Sequence, residues 1–276
     1  MLLRFTKMHG LGNDLMVLDL ISQYAYIKPQ QMRAWSDRRC GVGFRRLALI
    51  EVPQHPDVDF SCRVFDNAGV QVDCLASDLC CAARLVADKR LISKAQMRIE
   101  VGNRVVDVQV HTDGSVSIPL GQAELLSEGA ALPDTFRQQA HSSWLLGTEF
   151  SLVSLNGLHA VLQVANLSQV PMSELAGTLE QQAGWPQGST LSAVQVHDCI
   201  RLEVLTWQLG LGLLDSFHAS LAAVAAVAVE KNWAEGQVHV GFAAGAASGY
   251  LQWLENNQCV YFTSAVTRVY EGQIRL

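Results

Sequence analysis

Seven cysteines, Cys40, Cys62, Cys74, Cys80, Cys81, Cys199 and Cys259, carry the widest chemical scope in this chain of 276 residues. An odd set in a chain of this size, with no secretory-type start, favours free thiols in a reducing compartment over a disulfide frame. Cys80 and Cys81 are adjacent and no Cys-x-x-Cys occurs, so zinc spacing is missing and no metal site is expected. Three of the thiols, Cys74, Cys80 and Cys81, fall in VDCLASDLCCAARLVADKR, which starts at Val72. That stretch has a partner in the second half, Leu213 to Trp233, LLDSFHASLAAVAAVAVEKNW. Both begin with small polar residues, Ala76-Ser77-Asp78 and Asp215-Ser216, and then run into small apolar side chains on every helical face. A helix apolar all round belongs inside a core. Its unpaired N-terminal N–H groups make a natural place to hold an anion. The residues in those two loops therefore decide the chemistry.

The elements that must position the loops can be read in order. Strands are expected at Leu2 to Met8 and Leu15 to Leu20, joined through His9-Gly10-Leu11-Gly12-Asn13-Asp14 as a hairpin. Pro29 opens a short helix through Trp35, and Gly41-Val42-Gly43 returns the chain to strands Leu47 to Val52 and Phe60 to Phe65. The first buried helix runs from Ser77 to about Lys89, followed by strands at Met97, Val105 and Val116. The second half repeats the plan: strands Phe150 to Ser154 and Ala160 to Val164, a surface helix after Pro171 with Ser173 as N-cap, and strands Leu191 to Val196 and Ile200 to Leu205. A second buried helix spans Ser216 to about Lys231, and Val260 to Thr263 and Thr267 to Tyr270 are the last strands. Gly121 to Trp144 reads only as a connection. Two copies of one plan meet near Gly114 to Gly121.

Composition excludes several functions. Hydrophobic residues are 49%, charged residues 17% and the net charge −6, which argues against a nucleic-acid surface. The longest strongly apolar run, Leu221 to Val229, is far short of the ~20 residues a membrane span needs, so no membrane insertion is expected. The apolar run in MLLRFTKMHG is too short for a secretory signal, and a cytoplasmic location is the default.

Phe5-Thr6-Lys7-Met8-His9-Gly10-Leu11-Gly12-Asn13-Asp14, Asp37-Arg38 with Gly41-Val42-Gly43-Phe44, Val153-Ser154 to His159, Ile200-Arg201-Leu202, Ala219 to Val229 and Val269-Tyr270 to Gly272 together resemble the diaminopimelate epimerase family over nearly the whole chain. The resemblance implies an α/β (α+β) fold of two pseudo-symmetric barrels, each a strongly curved sheet around a central helix. The N-terminal barrel is expected over 1–115, completed by a C-terminal strand at 263–276, and the C-terminal barrel over 116–262. It also implies inversion at an amino-acid α-carbon without a cofactor, in a cleft between the barrels. Two cysteines, each heading a glycine-containing loop at the start of a central helix, exchange the proton.

Carried over by register, the match of Cys81-Ala82-Ala83-Arg84-Leu85 puts Leu75 where the first catalytic cysteine is expected, and Asp215 falls at the second, with Ser216-Phe217-His218 after it. Trp207 stands in place of an arginine that pairs with the distal carboxylate of the substrate, Leu211 in place of a glutamate, and Arg45-Arg46 in place of Asp-Gln. Three substrate-binding asparagines map to Asp66, Gly157 and Thr190, while Asn13 and His159 are kept. Leu75 can neither take nor give a proton, and Asp215 at a helix cap would accept the N–H bonds meant for a substrate carboxylate. The expectation is therefore a non-catalytic relative whose altered cleft (Asn13, Arg46, Asp66, Gly157, His159, Thr190, Trp207, Leu211, Ser216) serves binding. It would act as scaffold, adaptor or binding subunit for other protein subunits, or as a sensor, with a homodimer left open. The alternative is an active cofactor-independent epimerase or racemase in which Cys74, one residue from the expected position, works with Asp215. His9 and His159 beside glycine turns read first as backbone-bonded structural residues.

Overall fold

The computed structural model describes residues 1–10, 12–126, 144–145, 148–181, 185–214, 218–243, 248–254 and 259–276, with the backbone path alone at 144, 145, 148, 149, 218 and 254. It is a mixed α/β fold in two compact units, Met1–Pro119 with Thr263–Leu276, and Leu120–Phe262.

In the first unit β1 (Leu2–Gly10) and β2 (Asn13–Asp19) form the hairpin, α1 is Pro29–Ser36, and β3 (Arg46–Glu51), β4 (Phe60–Asp66) and β5 (Gln71–Val72) follow. Then come α2 (Ala76–Asp88), β6 (Gln96–Val101), β7 (Arg104–Val110) and β8 (Ser115–Gln122). Pro29 sits at the first helical position, where its missing N–H costs nothing. A Cβ on Gly41 would lie 2.5 Å from the carbonyl oxygens of Ala34 and Trp35, so only glycine lets the chain double back after α1. β2 pairs with β3 in parallel across α1, and β4 with β6 in parallel across α2; the other neighbours are antiparallel. β19 (Cys259–Arg275) pairs with both β1 and β8, which closes the strands into a barrel. Inside it α2 touches β1, β2, β3, β4 and β7, and Ser77 through Ala83, Leu85 and Val86 are buried.

The second unit repeats the scheme with β9 (Glu124–Leu126), β10 (Trp144–Leu145), β11 (Thr148–Glu149), β12 (Ser151–Ser154), β13 (Leu158–Val164), α3 (Met172–Gln181), β14 (Thr190–Asp198), β15 (Arg201–Gln208), β16 (Gly212–Leu214), α4 (His218–Glu230), β17 (Gln237–Phe242) and β18 (Ser248–Leu254). Parallel pairs again bracket the helices, β13 with β14 and β15 with β17. α4 packs on β12, β13, β14, β17 and β18, and Leu221 through Ala228 are at most 1% exposed. Its alanines and valines let strands approach on every side, the reason the sequence carries so few large side chains there.

Three expectations need correction. The last two strands are one, β19, because Ser264 to Val266 continue the ladder instead of turning. Ser173 lies inside α3; the Pro171 carbonyl accepts the first helical N–H groups, from Glu174 and Leu175. Glu124–Leu126, read as connection, pairs with β12. The expected start of the second buried helix at Ser216 lies outside the described residues. Among the described residues no helix is long and apolar enough to cross a membrane. Enclosure of α4 predicts that Ala226→Leu, which adds bulk to a filled interior, lowers stability by about 1–3 kcal/mol in urea unfolding. An unchanged midpoint would mean that this face of the helix is open.

Candidate active site

Strand register gathers the first group of side chains. Arg46 opens β3 opposite Leu15 of β2 and Asp66 of β4, which puts Arg46, Asp66 and the Asn13 start of β2 at one end of the barrel. The N-terminus of α2 lies there too. Asn13 is buried and its Nδ2 donates to Ser77 Oγ at 3.3 Å. Leu75 is the N-cap residue, and having no side-chain acceptor it leaves the cap to Asp78. Asp78 Oδ2 accepts from the Leu75 backbone N–H at 2.8 Å and from Arg46 Nε at 2.9 Å. Arg46 also donates from Nη2 to the Asp73 carbonyl. Asp66 is occupied locally, its Oδ1 taking the N–H groups of Ala68 and Val70 to shape the turn before β5.

Asp78 is 0% exposed and its Oδ1 has no partner among the described residues. Burial pushes its carboxyl up to about 6, against the pull of the Arg46 charge and the hydrogen bonds from Leu75 and Arg46. A second charged cluster stands nearby in the chain. Lys7 Nζ meets Asp14 Oδ2 at 2.5 Å and donates to the Gly43 carbonyl, and Arg38 Nη2 meets Asp14 Oδ1 at 2.8 Å. Burial tends to raise the Asp14 carboxyl, but the hydrogen bonds and charges of Lys7 and Arg38 outweigh it and hold it below the usual carboxylate range.

Four cysteines surround the start of α2, and Cys74 alone of them is not buried. Burial pushes Cys80 up to about 12 and Cys81 well above the usual thiol value, with the Asp78 charge adding to both, so these two are inert packing thiols. Cys74 borders a cavity of about 380 Å³ whose wall includes Cys62, Arg63, Asp73, Glu100 and Arg104. Arg63 is held there by a two-point ion pair to Glu51, at 2.6 and 2.7 Å.

The second unit supplies a neutral group. His159 of β13 pairs in register with Thr190 of β14; both are buried. Nε2 lies 2.9 Å from the Leu155 carbonyl, which can only accept, so Nε2 carries the proton and Nδ1 takes the Thr190 hydroxyl at 2.7 Å. Burial lowers the His159 pKa, in keeping with a neutral imidazole. Gly157, at φ +148°, follows Asn156, whose Nδ2 donates to the Leu120 carbonyl at 2.9 Å. Trp207 is half-buried, lies opposite Leu191 in the β14–β15 ladder, and packs on the core cluster that holds Leu191, Leu209 and the buried face of α3. It lies on the face of β15 opposite Thr206, which bonds Ser192 at 2.9 Å and reaches Ser220 of α4 at 3.4 Å. Leu211 is 73% exposed on the turn after β15. Asp215 and Ser216 lie outside the described residues.

No family model matches the chain. A protein named diaminopimelate epimerase from Ectopseudomonas mendocina (strain ymp) is 38% identical over 283 residues, covering 100% of both chains. The chain belongs to the diaminopimelate epimerase family. Its fold is shared by a phenazine biosynthesis protein of the PhzF family from Bacillus anthracis (TM-score 0.68, 12% identity, 100% of both chains). A hydroxyproline epimerase from Agrobacterium vitis shares it too (TM-score 0.61, 12% identity, 99% of this chain and 91% of that one).

Membership at this identity over full length overturns the expectation of a non-catalytic scaffold or adaptor: the full-length relatives are named as an epimerase, and nothing in the comparisons points to a scaffold. The expected loss of catalysis rested on one ungapped register. In that register a thiol one residue from the expected position, Cys74, counts as missing. Arg46, read as part of an altered binding cleft, finds its acid inside the chain at Asp78. Asp78 itself went unread as a site residue. Its signal was an acidic residue three places after the N-cap, half of a capping box.

The sign of the Asp78 effect follows from its raised value. Between the unperturbed 3.8 and about 6 the folded chain binds more protons than the unfolded one, so this contribution to stability is full below the window and lost as pH rises through it. The unfolding free energy of wild type minus that of Asp78→Asn should therefore fall by roughly 2 kcal/mol from about pH 4 to about pH 7. Denaturant titrations of both proteins measure it; a flat difference would show that Asp78 ionises normally.

Proposed function

We propose that this protein is a cofactor-independent amino-acid epimerase or racemase, working in the bacterial cytoplasm, in which Cys74 and Asp215 exchange the α-proton. The observation that carries this reading is Cys74 itself: a part-exposed thiol just ahead of α2, on a polar cavity, where Cys62, Cys80 and Cys81 are all buried. As thiolate, Cys74 would take the α-proton; as an acid, Asp215 would return one to the other face of the carbon. In the reverse direction the roles exchange. Neither step needs a redox group, since the substrate and product differ only in configuration.

The substrate class follows from what surrounds the reacting groups. The names of the relatives support diaminopimelate. Trp207 favours a second reading. It is packed against the α3 layer at the position where the family resemblance expects an arginine, so the second carboxylate of diaminopimelate lacks that cation. An amino acid with one carboxylate loses nothing by this. A buried carboxylate with no cation costs several kcal/mol, enough to change preference by orders of magnitude.

Deuterium uptake at the α-carbon in deuterated water tests both substrates in one format. Uptake is expected with diaminopimelate or a monocarboxylate amino acid, and Cys74→Ala should lower it by about 10²–10⁴-fold. Uptake indifferent to Cys74→Ala, or none with either substrate class, would refute the proposal.

A further inference from the structure

Cys74 has a neighbour that proton transfer does not use. β4 and β5 pair through Val64↔Val72 and Phe65↔Gln71. Continued two residues past Val72, that register brings Cys74 opposite Cys62. The chain leaves the ladder after Val72, yet the thiol stays in place: Cys74 Sγ lies 3.6 Å from the Cys62 carbonyl oxygen. Directly opposed residues of antiparallel strands have Cα atoms about 4.5–5.5 Å apart, inside the roughly 4.4–6.8 Å that a disulfide spans. Both residues border the same cavity, but Cys62 is 1% exposed and Cys74 is part-exposed. One sulfur is open to a small oxidant and the other waits behind it.

We propose that Cys62 and Cys74 form a reversible intramolecular disulfide on exposure to hydrogen peroxide, a modification site that withdraws Cys74 from proton transfer. The Cys74 thiolate attacks one peroxide oxygen, the O–O bond breaks, and the departing hydroxide leaves as water, giving a sulfenic acid. The Cys62 sulfur then attacks the Cys74 sulfur; the S–O bond breaks, and the hydroxide leaves as a second water with the proton from Cys62. Two thiols and one peroxide become a disulfide and two waters. A small dithiol reverses it and is itself oxidised to a cyclic disulfide. Contact with the Cys74 thiol and burial push the Cys62 thiol well up, so it attacks as a mostly protonated group and the second step is the slow one.

The disulfide stands without the proposed activity; only its effect on turnover rests on that reading. The test treats the full chain with hydrogen peroxide, blocks remaining thiols with N-ethylmaleimide, and maps the cysteine peptides by mass. The expected product is a Cys62–Cys74 cross-linked peptide lighter by two hydrogens, lost on treatment with dithiothreitol. In Cys62→Ser the second step is blocked, and Cys74 should advance to sulfinic acid. Cys74 reaching sulfinic acid in the wild type while Cys62 stays alkylatable, or pairing instead with Cys40 or Cys199, would overturn the proposal. Deuterium uptake, measured on the same samples, should fall in step with the cross-linked fraction and return with dithiothreitol. A disulfide in a protein whose reduced form shows no uptake would leave this site standing and remove the epimerase reading.

Discussion

A helix buried on every face has to end somewhere, and its first N–H groups need acceptors where water does not reach. In the first unit that need is met by Asp78, a carboxylate inside the barrel that binds the Leu75 N–H and Arg46 at once. The rest of that end of the unit is arranged around it. Arg46 must open β3 to reach it; the Asp73 carbonyl fixes the other side of the guanidinium; Asn13 and Ser77 close the space beside it. A buried ion pair of this kind is weak evidence for stability, because desolvation offsets much of the attraction. Its effect is specificity, since any other placement of α2 would strand a charge.

The same interaction defines what the site has to work with. Asp78 takes the Leu75 N–H at the start of α2, and the thiol left part-exposed beside it is Cys74, in the chain just before the helix. The thiols on the helix itself are closed in, and the Asp78 charge adds to the burial that keeps them protonated. Burial, with that carboxylate adding to it, keeps two cysteines protonated, while a third is part-exposed. That contrast singles out Cys74 more firmly than its distance in sequence from an expected position does.

The sequence revealed much of the fold because the fold rests on composition. All-apolar helices, glycine-marked turns and the repeated order of strands are each local, and the helices and strands fell close to where they were expected. The final strand was read as two, whereas the chain stays extended from Cys259 to Arg275 and pairs with β1 from Val266 onward. Site geometry was far less legible. The pairing of Arg46 with Asp78 spans 32 residues, and the meeting of Cys62 with Cys74 depends on a hairpin register, neither of which a linear pattern encodes. The inference of lost catalysis failed for a related reason: a position in an alignment is not a position in space.

The two repeats solve one architectural problem with different chemistry. At the strand starts where the first unit has Arg46 and its carboxylate, the second has His159 and Thr190, a neutral pair joined by hydrogen bonds. Beside α4 the contacts are hydroxyl to hydroxyl, Ser192 to Thr206 to Ser220. Neutral networks cost less to bury than charged ones, and burial keeps the His159 imidazole in its neutral form by lowering its pKa. Two charged networks, Lys7–Asp14–Arg38 and Arg46–Asp78, lie in the first unit. Asp14 is lowered by its cations while Asp78 is raised by its burial, so acidification acts on the two in opposite directions. It withdraws an ion-pair contribution at Asp14 only at low pH, and relieves a buried charge at Asp78 near pH 6. Each unit therefore carries one buried group that follows pH in that region, in opposite senses: acidification relieves Asp78 in the first unit, which also carries Cys74, and works against the buried neutral His159 in the second.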